Sequence, residues 1–137
     1  MTILNQIYKC EVCGNIINIL HIGAGELVCC GQAMLIQFEK TEEADKALVD
    51  KHLPVIKKLP ENVCRGGDGI IVKIGKVKHP MDEEHYIEWI EVLTIDNKIG
   101  RKFLKPGETA KVEFHTRSDI KEVRAYCNMH GLWKLVL

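Results

Sequence analysis

Several things are missing from this chain of 137 residues. There is no surplus charge: 19 basic and 19 acidic residues leave a formal net charge of zero. A protein that neutralises many phosphates needs a basic excess, so nucleic acid is excluded as the expected partner. There is no uncharged apolar run near the roughly 20 residues that a membrane helix requires. The opening Met1-Thr2-Ile3-Leu4-Asn5-Gln6 lacks the basic and apolar regions of a secretory signal. Internal repeats and low-complexity tracts are absent, and helical patterning is scarce. What remains is the expectation of a soluble, cytoplasmic, globular protein, its 46% hydrophobic content ordinary for that class.

Charge is also missing locally. Residues 1–37 contain only Lys9, Glu11 and Glu26, whereas the rest of the chain is densely charged. The step predicts two domains, 1–37 and 38–137. A segment as short as the first buries too little apolar surface to fold unaided and needs a metal or a partner.

The six cysteines supply the means. In a reducing compartment they point to metal ligation rather than disulfides. Cys10-Glu11-Val12-Cys13-Gly14 reads as a knuckle after a short strand, with Gly14 free to take a positive φ. Cys29 and Cys30 follow. Four thiolates in two clusters suit a tetrahedral site. Neighbouring Cα atoms lie only about 3.8 Å apart, so Cys29 and Cys30 share one metal with some distortion. Spacing does not separate iron from a structural zinc here, and a Cys29–Cys30 pair with one free thiol is the alternative. Cys64 has no ligand spacing and reads as a spare thiol.

A second donor set lies downstream. Cys127-Asn128-Met129-His130 offers a thiolate and an imidazole on one turn, His79 and His85 flank another loop, and His52 follows a third. One sulfur with four imidazoles is not the usual closed zinc set. It suggests iron with one coordination position left open. A nucleophilic Cys127/His130 pair would leave the other histidines unexplained. His21 and His115 carry no such signal, and His115 falls on the polar face of its strand.

The elements expected around these residues are mostly strands. Thr41 to Leu48 predicts a short helix with Thr41 as N-cap, and Pro54-Val55-Ile56 an extended segment. Gly66 to Gly69 predicts a turn before a strand over Ile70 to Ile74. His85 to Leu93 fits a buried strand, Ala110 to His115 alternates as a half-buried one, and a last pair brackets Cys127 to His130. Short strands at close intervals give an antiparallel β-sandwich, whose loops gather at one end.

Cys10-x-x-Cys13 with Cys29-Cys30, Lys51-His52-x-Pro54, the run HPMDEEHYIEWIE from His79, FLKPG from Phe103 and YCNMHG from Tyr126 together resemble the desulfoferrodoxins. These are the two-iron superoxide reductases, and the match runs through nearly the whole chain in order. The resemblance implies a desulforedoxin-like domain with an iron held by Cys10, Cys13, Cys29 and Cys30, then an immunoglobulin-like sandwich carrying the active iron. It implies His52, His79, His85 and His130 as equatorial ligands and Cys127 as the axial thiolate. Lys51 matches the lysine beside the vacant position. Asp50 stands where the family usually has a glutamate that ligates the oxidised iron, and is one methylene shorter. Superoxide as substrate, a rubredoxin-type electron donor and a homodimer follow from the same resemblance. A non-enzymatic iron electron carrier, or a structural zinc module binding a macromolecule, are the rival readings.

Overall fold

The computed structural model describes residues 1–60 and 68–137, so Cys64 and the Gly66-Gly67 half of the expected turn lie outside the described residues. The chain divides into two compact units, Met1–Phe38 and Glu39–Leu137.

The first unit is a small β assembly. Strand β1 (Ile7–Lys9) pairs antiparallel with β2 (Ile16–Asn18) and, on its other side, with β5 (Leu35–Ile36). A separate two-residue hairpin joins β3 (Val28–Cys29) to β4 (Gln32–Ala33). Its interior is slight, with Ile7, Ile19 and Cys10 the buried hydrophobics. That little core leaves the cysteine cluster as the principal organiser.

Among the described residues, the second unit is a seven-stranded antiparallel sandwich. One sheet has the order β12-β11-β8-β9, built from β8 (Ile87–Thr94), β9 (Ile99–Phe103), β11 (Ile120–Cys127) and β12 (Gly131–Val136). The other has the order β10-β7-β6, from β6 (Pro54–Lys58), β7 (Asp68–Ile74) and β10 (Lys111–Thr116). Ile70, Val72 and Ile74 of one sheet meet Ile90, Val92, Val123 and Ala125 of the other in a shared core, with Phe114 among them. The protein is therefore mainly β, a four-cysteine unit followed by an immunoglobulin-like sandwich.

Central strand β8 is buried on both faces, which explains its mixed periodicity. Its outer face carries Glu91, fully buried and bonded to Arg124 of β11 and Arg101 of β9. Registers Glu91↔Arg124 and Glu91↔Arg101 set these charges side by side across three strands. Removing one partner from such a pair leaves a buried charge uncompensated, at about 3–5 kcal/mol.

Two expectations need correction. The helix α1 spans Lys46–His52, not Thr41 to Leu48, and its N-cap is Asp45, whose Oδ1 accepts from the Ala47 N–H at 3.0 Å. Aspartate at that place satisfies the first-turn amide, while Thr41 caps only a turn, its carbonyl accepting from Ala44 N–H at 3.1 Å. His52 thus lies in the last helical turn rather than after a loop. Strand β7 also begins two residues early, at Asp68. A Cβ at Gly69 would stand 2.8 Å from Leu59 Cδ1 and 3.2 Å from His115 Nδ1. The glycine there serves close packing within a strand, not a turn.

Candidate metal centres

Cys10, Cys13, Cys29 and Cys30 bring their sulfurs within 4.8 Å of one another. Cys13 and Cys29 Sγ are 3.6 Å apart, and Cys29 and Cys30 Sγ 3.9 Å. A tetrahedron with metal–sulfur bonds of about 2.3 Å has edges of about 3.8 Å, so the cluster has the dimensions of a metal site. The same distances are far too long for a Cys29–Cys30 disulfide. Adjacent cysteines manage this because Cys30 adopts a left-handed φ of 52° and Gly31 one of 76°. The adjacent pair Cys29–Cys30, at 3.9 Å, lies close to that ideal edge, and Cys13–Cys29, at 3.6 Å, is the shorter. Gly14 takes φ 84°, turning the chain out of the knuckle, and its N–H donates to the Cys10 carbonyl at 2.9 Å.

Electrostatics in the cluster are uneven. The Cys13 and Val12 backbone amides lower Cys10 to about 6, the Cys13 contribution being the largest. Neighbouring sulfurs, Cys13 first, push Cys30 up to about 12 and raise Cys29 as well. Four thiolates coexist there only with a cation among them.

The second centre sits at one end of the sandwich. β6 starts opposite the end of β7 (Pro54↔Ile74), and the end of β11 faces both the start of β8 (Cys127↔Ile87) and the start of β12 (Cys127↔Gly131). His52 before β6, His79 and His85 between β7 and β8, and Cys127 and His130 around the β11–β12 turn therefore converge. A register shift between Tyr126 and Cys127 marks where the β11 ladder gives way to the site.

The ligand atoms of His52, His79, His85 and Cys127 lie within 4.8 Å of one another. His130 Nδ1 is 3.2 Å from His85 Nε2 and 3.8 Å from Cys127 Sγ. Tautomers are fixed from behind. His52 Nδ1 donates to the Leu48 carbonyl at 2.8 Å, and His79 Nδ1 to the Pro80 carbonyl at 2.6 Å. Both Nε2 atoms then carry lone pairs, yet they face each other at 3.0 Å. Protonating one would relieve the clash, but burial lowers His52 and His79 to about 4. At neutral pH only a cation between the rings satisfies both.

Burial raises Cys127, while the backbone amides of His130 and Met129 act against it by donating towards its sulfur. His130 is lowered by burial first, then by the charges of His85, Lys40 and Lys51. Lys51, exposed on α1, also acts on His79. The Asp50 main chain accepts from Val77 N–H at 2.8 Å, but its carboxylate is not among the converging donors of the described residues. His21 and His115 stand outside both clusters, His115 facing Glu113 at 3.5 Å.

Three supporting residues gave no warning in the sequence. Trp133, fully buried, stacks on His52 with ring centroids 4.9 Å apart and planes 14° from parallel. Asn128 ties two ligand loops together: its Oδ1 accepts from Tyr86 N–H at 2.9 Å and its Nδ2 donates to the Glu84 carbonyl at 3.0 Å. Lys40 donates to the His130 carbonyl at 2.7 Å. Only the asparagine lies within a ligand motif, and polarity there was its one available signal.

Two outcomes follow. Asn128→Ala unties the His85 loop from the Cys127 loop and should weaken metal affinity by roughly 10–100-fold, read by chelator competition. In metal-free protein, His52 and His79 take up protons more readily unfolded than folded. Stability should hold above pH 6.5 and fall as pH drops from 6.5 towards 4, by up to about 3 kcal/mol for each ring. Urea melts across that range, with and without metal, check the sign.

Fold and sites together define a class: a mainly β protein with one all-sulfur centre and one centre of imidazoles and a single buried thiolate. The desulfoferrodoxin model matches residues 43–136, and the model of the desulfoferrodoxin N-terminal domain matches residues 2–36. The desulfoferrodoxin homolog of Archaeoglobus fulgidus is 51% identical over 134 residues, covering 98% of each chain. The chain belongs to the desulfoferrodoxin family. The superoxide reductase of Treponema pallidum shares its fold at a TM-score of 0.71, 24% identical and covering 95% of both chains. The superoxide reductase of Nanoarchaeum equitans matches with a TM-score of 0.55 and 27% identity over 72% of this chain and 96% of its own.

Proposed function

We propose that this protein is a superoxide reductase, with iron held by His52, His79, His85, His130 and Cys127 as its reactive centre. The observation carrying the reading is the pair of Nε2 lone pairs aimed at one point beside a buried sulfur, all on fixed backbones. Iron held there would supply the single electron that takes superoxide to the peroxide level.

The chain's own residues do the rest. Four neutral imidazoles and one thiolate would leave a ferrous ion with a net charge of +1, which would favour an anion over neutral molecules. Protein net charge is zero, so attraction is local, and Lys51 supplies it. The Cys127 thiolate, steadied by two amides, would donate electron density towards a metal held there. Asp50, on the last turns of α1 beside Lys51, would have to swing its carboxylate towards the donors to serve as an anionic ligand to an oxidised metal.

Iron in the Cys10, Cys13, Cys29 and Cys30 cluster fits the same reading, with zinc the alternative occupant. A rubredoxin-type protein would return one electron per cycle in the cytoplasm. No described helix is long and apolar enough to cross a membrane. Leu20, Val28 and Leu35 are exposed apolar residues in a nearly uncharged unit, which supports a homodimer.

The test is product stoichiometry. Reduced protein given superoxide without oxygen should form one hydrogen peroxide for each superoxide consumed. A dismutase forms one for every two, and an electron carrier forms none by its own action; either outcome rejects the proposal. Cys13→Ser should disturb the first centre yet leave this reaction largely intact, measured by iron content beside superoxide consumption.

A further inference from the structure

Lys40 belongs to no ligand motif in the sequence, yet it is built against the second centre. Its N–H donates to the Leu132 carbonyl and its own carbonyl accepts from Lys134 N–H, both at 2.8 Å, which aligns it with Trp133. From there the ammonium donates to the His130 carbonyl at 2.7 Å and stands 5.6 Å from the centre of the Trp133 ring. Trp133 in turn stacks on His52. One side chain thus holds the loop of Cys127 and His130 and lies over the ring behind a third donor.

The placement has an electrostatic consequence. The loop held by Lys40 contains the Met129 and His130 amides that point at the Cys127 sulfur. The ammonium itself, bonded to the carbonyl of the residue three past Cys127, sets a positive charge on the loop that presents the sulfur. Density drawn back onto sulfur is density withheld from the metal, and the reduced, less positive ion is then favoured.

We propose that Lys40 is a positioning residue that tunes the Cys127 centre, holding the sulfur-directed amides in place and moderating thiolate donation so that the iron is more easily reduced. This rests on the superoxide reductase reading and adds to it a role distinct from that of Lys51. Lys51 acts on the approaching anion; Lys40 acts through the sulfur.

The experiment compares iron-loaded, full-length wild type, Lys40→Met and Lys40→Arg. Iron content, the sulfur-to-iron charge-transfer absorption and a redox titration are measured on each. At the poise where wild type is half reduced, Lys40→Met should show its ferrous-to-ferric ratio lowered by roughly threefold or more. Its charge-transfer band should move to lower energy, while Lys40→Arg stays with wild type. Lys40→Met with full iron and an unchanged ratio overturns the proposal. So does an arginine variant displaced as far as the methionine one, or iron lost from both, which would mark a purely structural tie. Wild type that takes no iron at this centre fails differently: it removes the superoxide reductase reading beneath the proposal.

Discussion

Cys127→Ser should keep its fold and lose superoxide reduction by roughly a hundredfold or more, a barrier change of about 2.7 kcal/mol. Sulfur and oxygen differ little in shape at a fully buried position on the end of β11. They differ greatly in acidity and softness. The Met129 and His130 amides and a bound cation together keep a thiol ionised, whereas a serine hydroxyl in the same pocket stays protonated. The centre would then carry one more positive charge and lack its soft donor, so it holds its electron more tightly. Rapid mixing of reduced protein with superoxide measures the loss, and the charge-transfer absorption should vanish with the sulfur. Undiminished reduction by the serine variant would remove the thiolate from the mechanism.

The second large effect is kinetic and depends on salt. Lys51→Ala should slow association with superoxide by roughly tenfold at low ionic strength while leaving iron bound. The deficit should narrow as salt rises, since the screening length falls to about 10 Å at 0.1 M. A second-order rate unchanged at every ionic strength takes Lys51 out of the account. Lys40→Met offers a useful contrast, because its expected change is in potential rather than in salt-dependent encounter.

Much of this was legible in the residues. Cysteine spacing marked the first centre, since four sulfurs in two short clusters leave few other uses for a nearly coreless segment. Histidines beside turn signals marked the second, because antiparallel strands return their loops to one end. What stayed hidden depends on register. Nothing local tells that Glu91, Arg124 and Arg101 will stand in one row, or that Trp133 will lie flat on His52. The helix boundary was missed because Thr41 and Asp45 are both good caps, and only packing decides which begins the helix. Asp50 is the converse case. The resemblance singles it out by position, but its carboxylate stands outside the converging donors of the described residues.

The most direct test is iron X-ray absorption on a Cys10→Ala/Cys13→Ala variant loaded with iron, so that the second centre alone contributes. One sulfur and four imidazole nitrogens around each iron is the result this account predicts. A shell without sulfur, or with oxygens replacing the imidazoles, would contradict it.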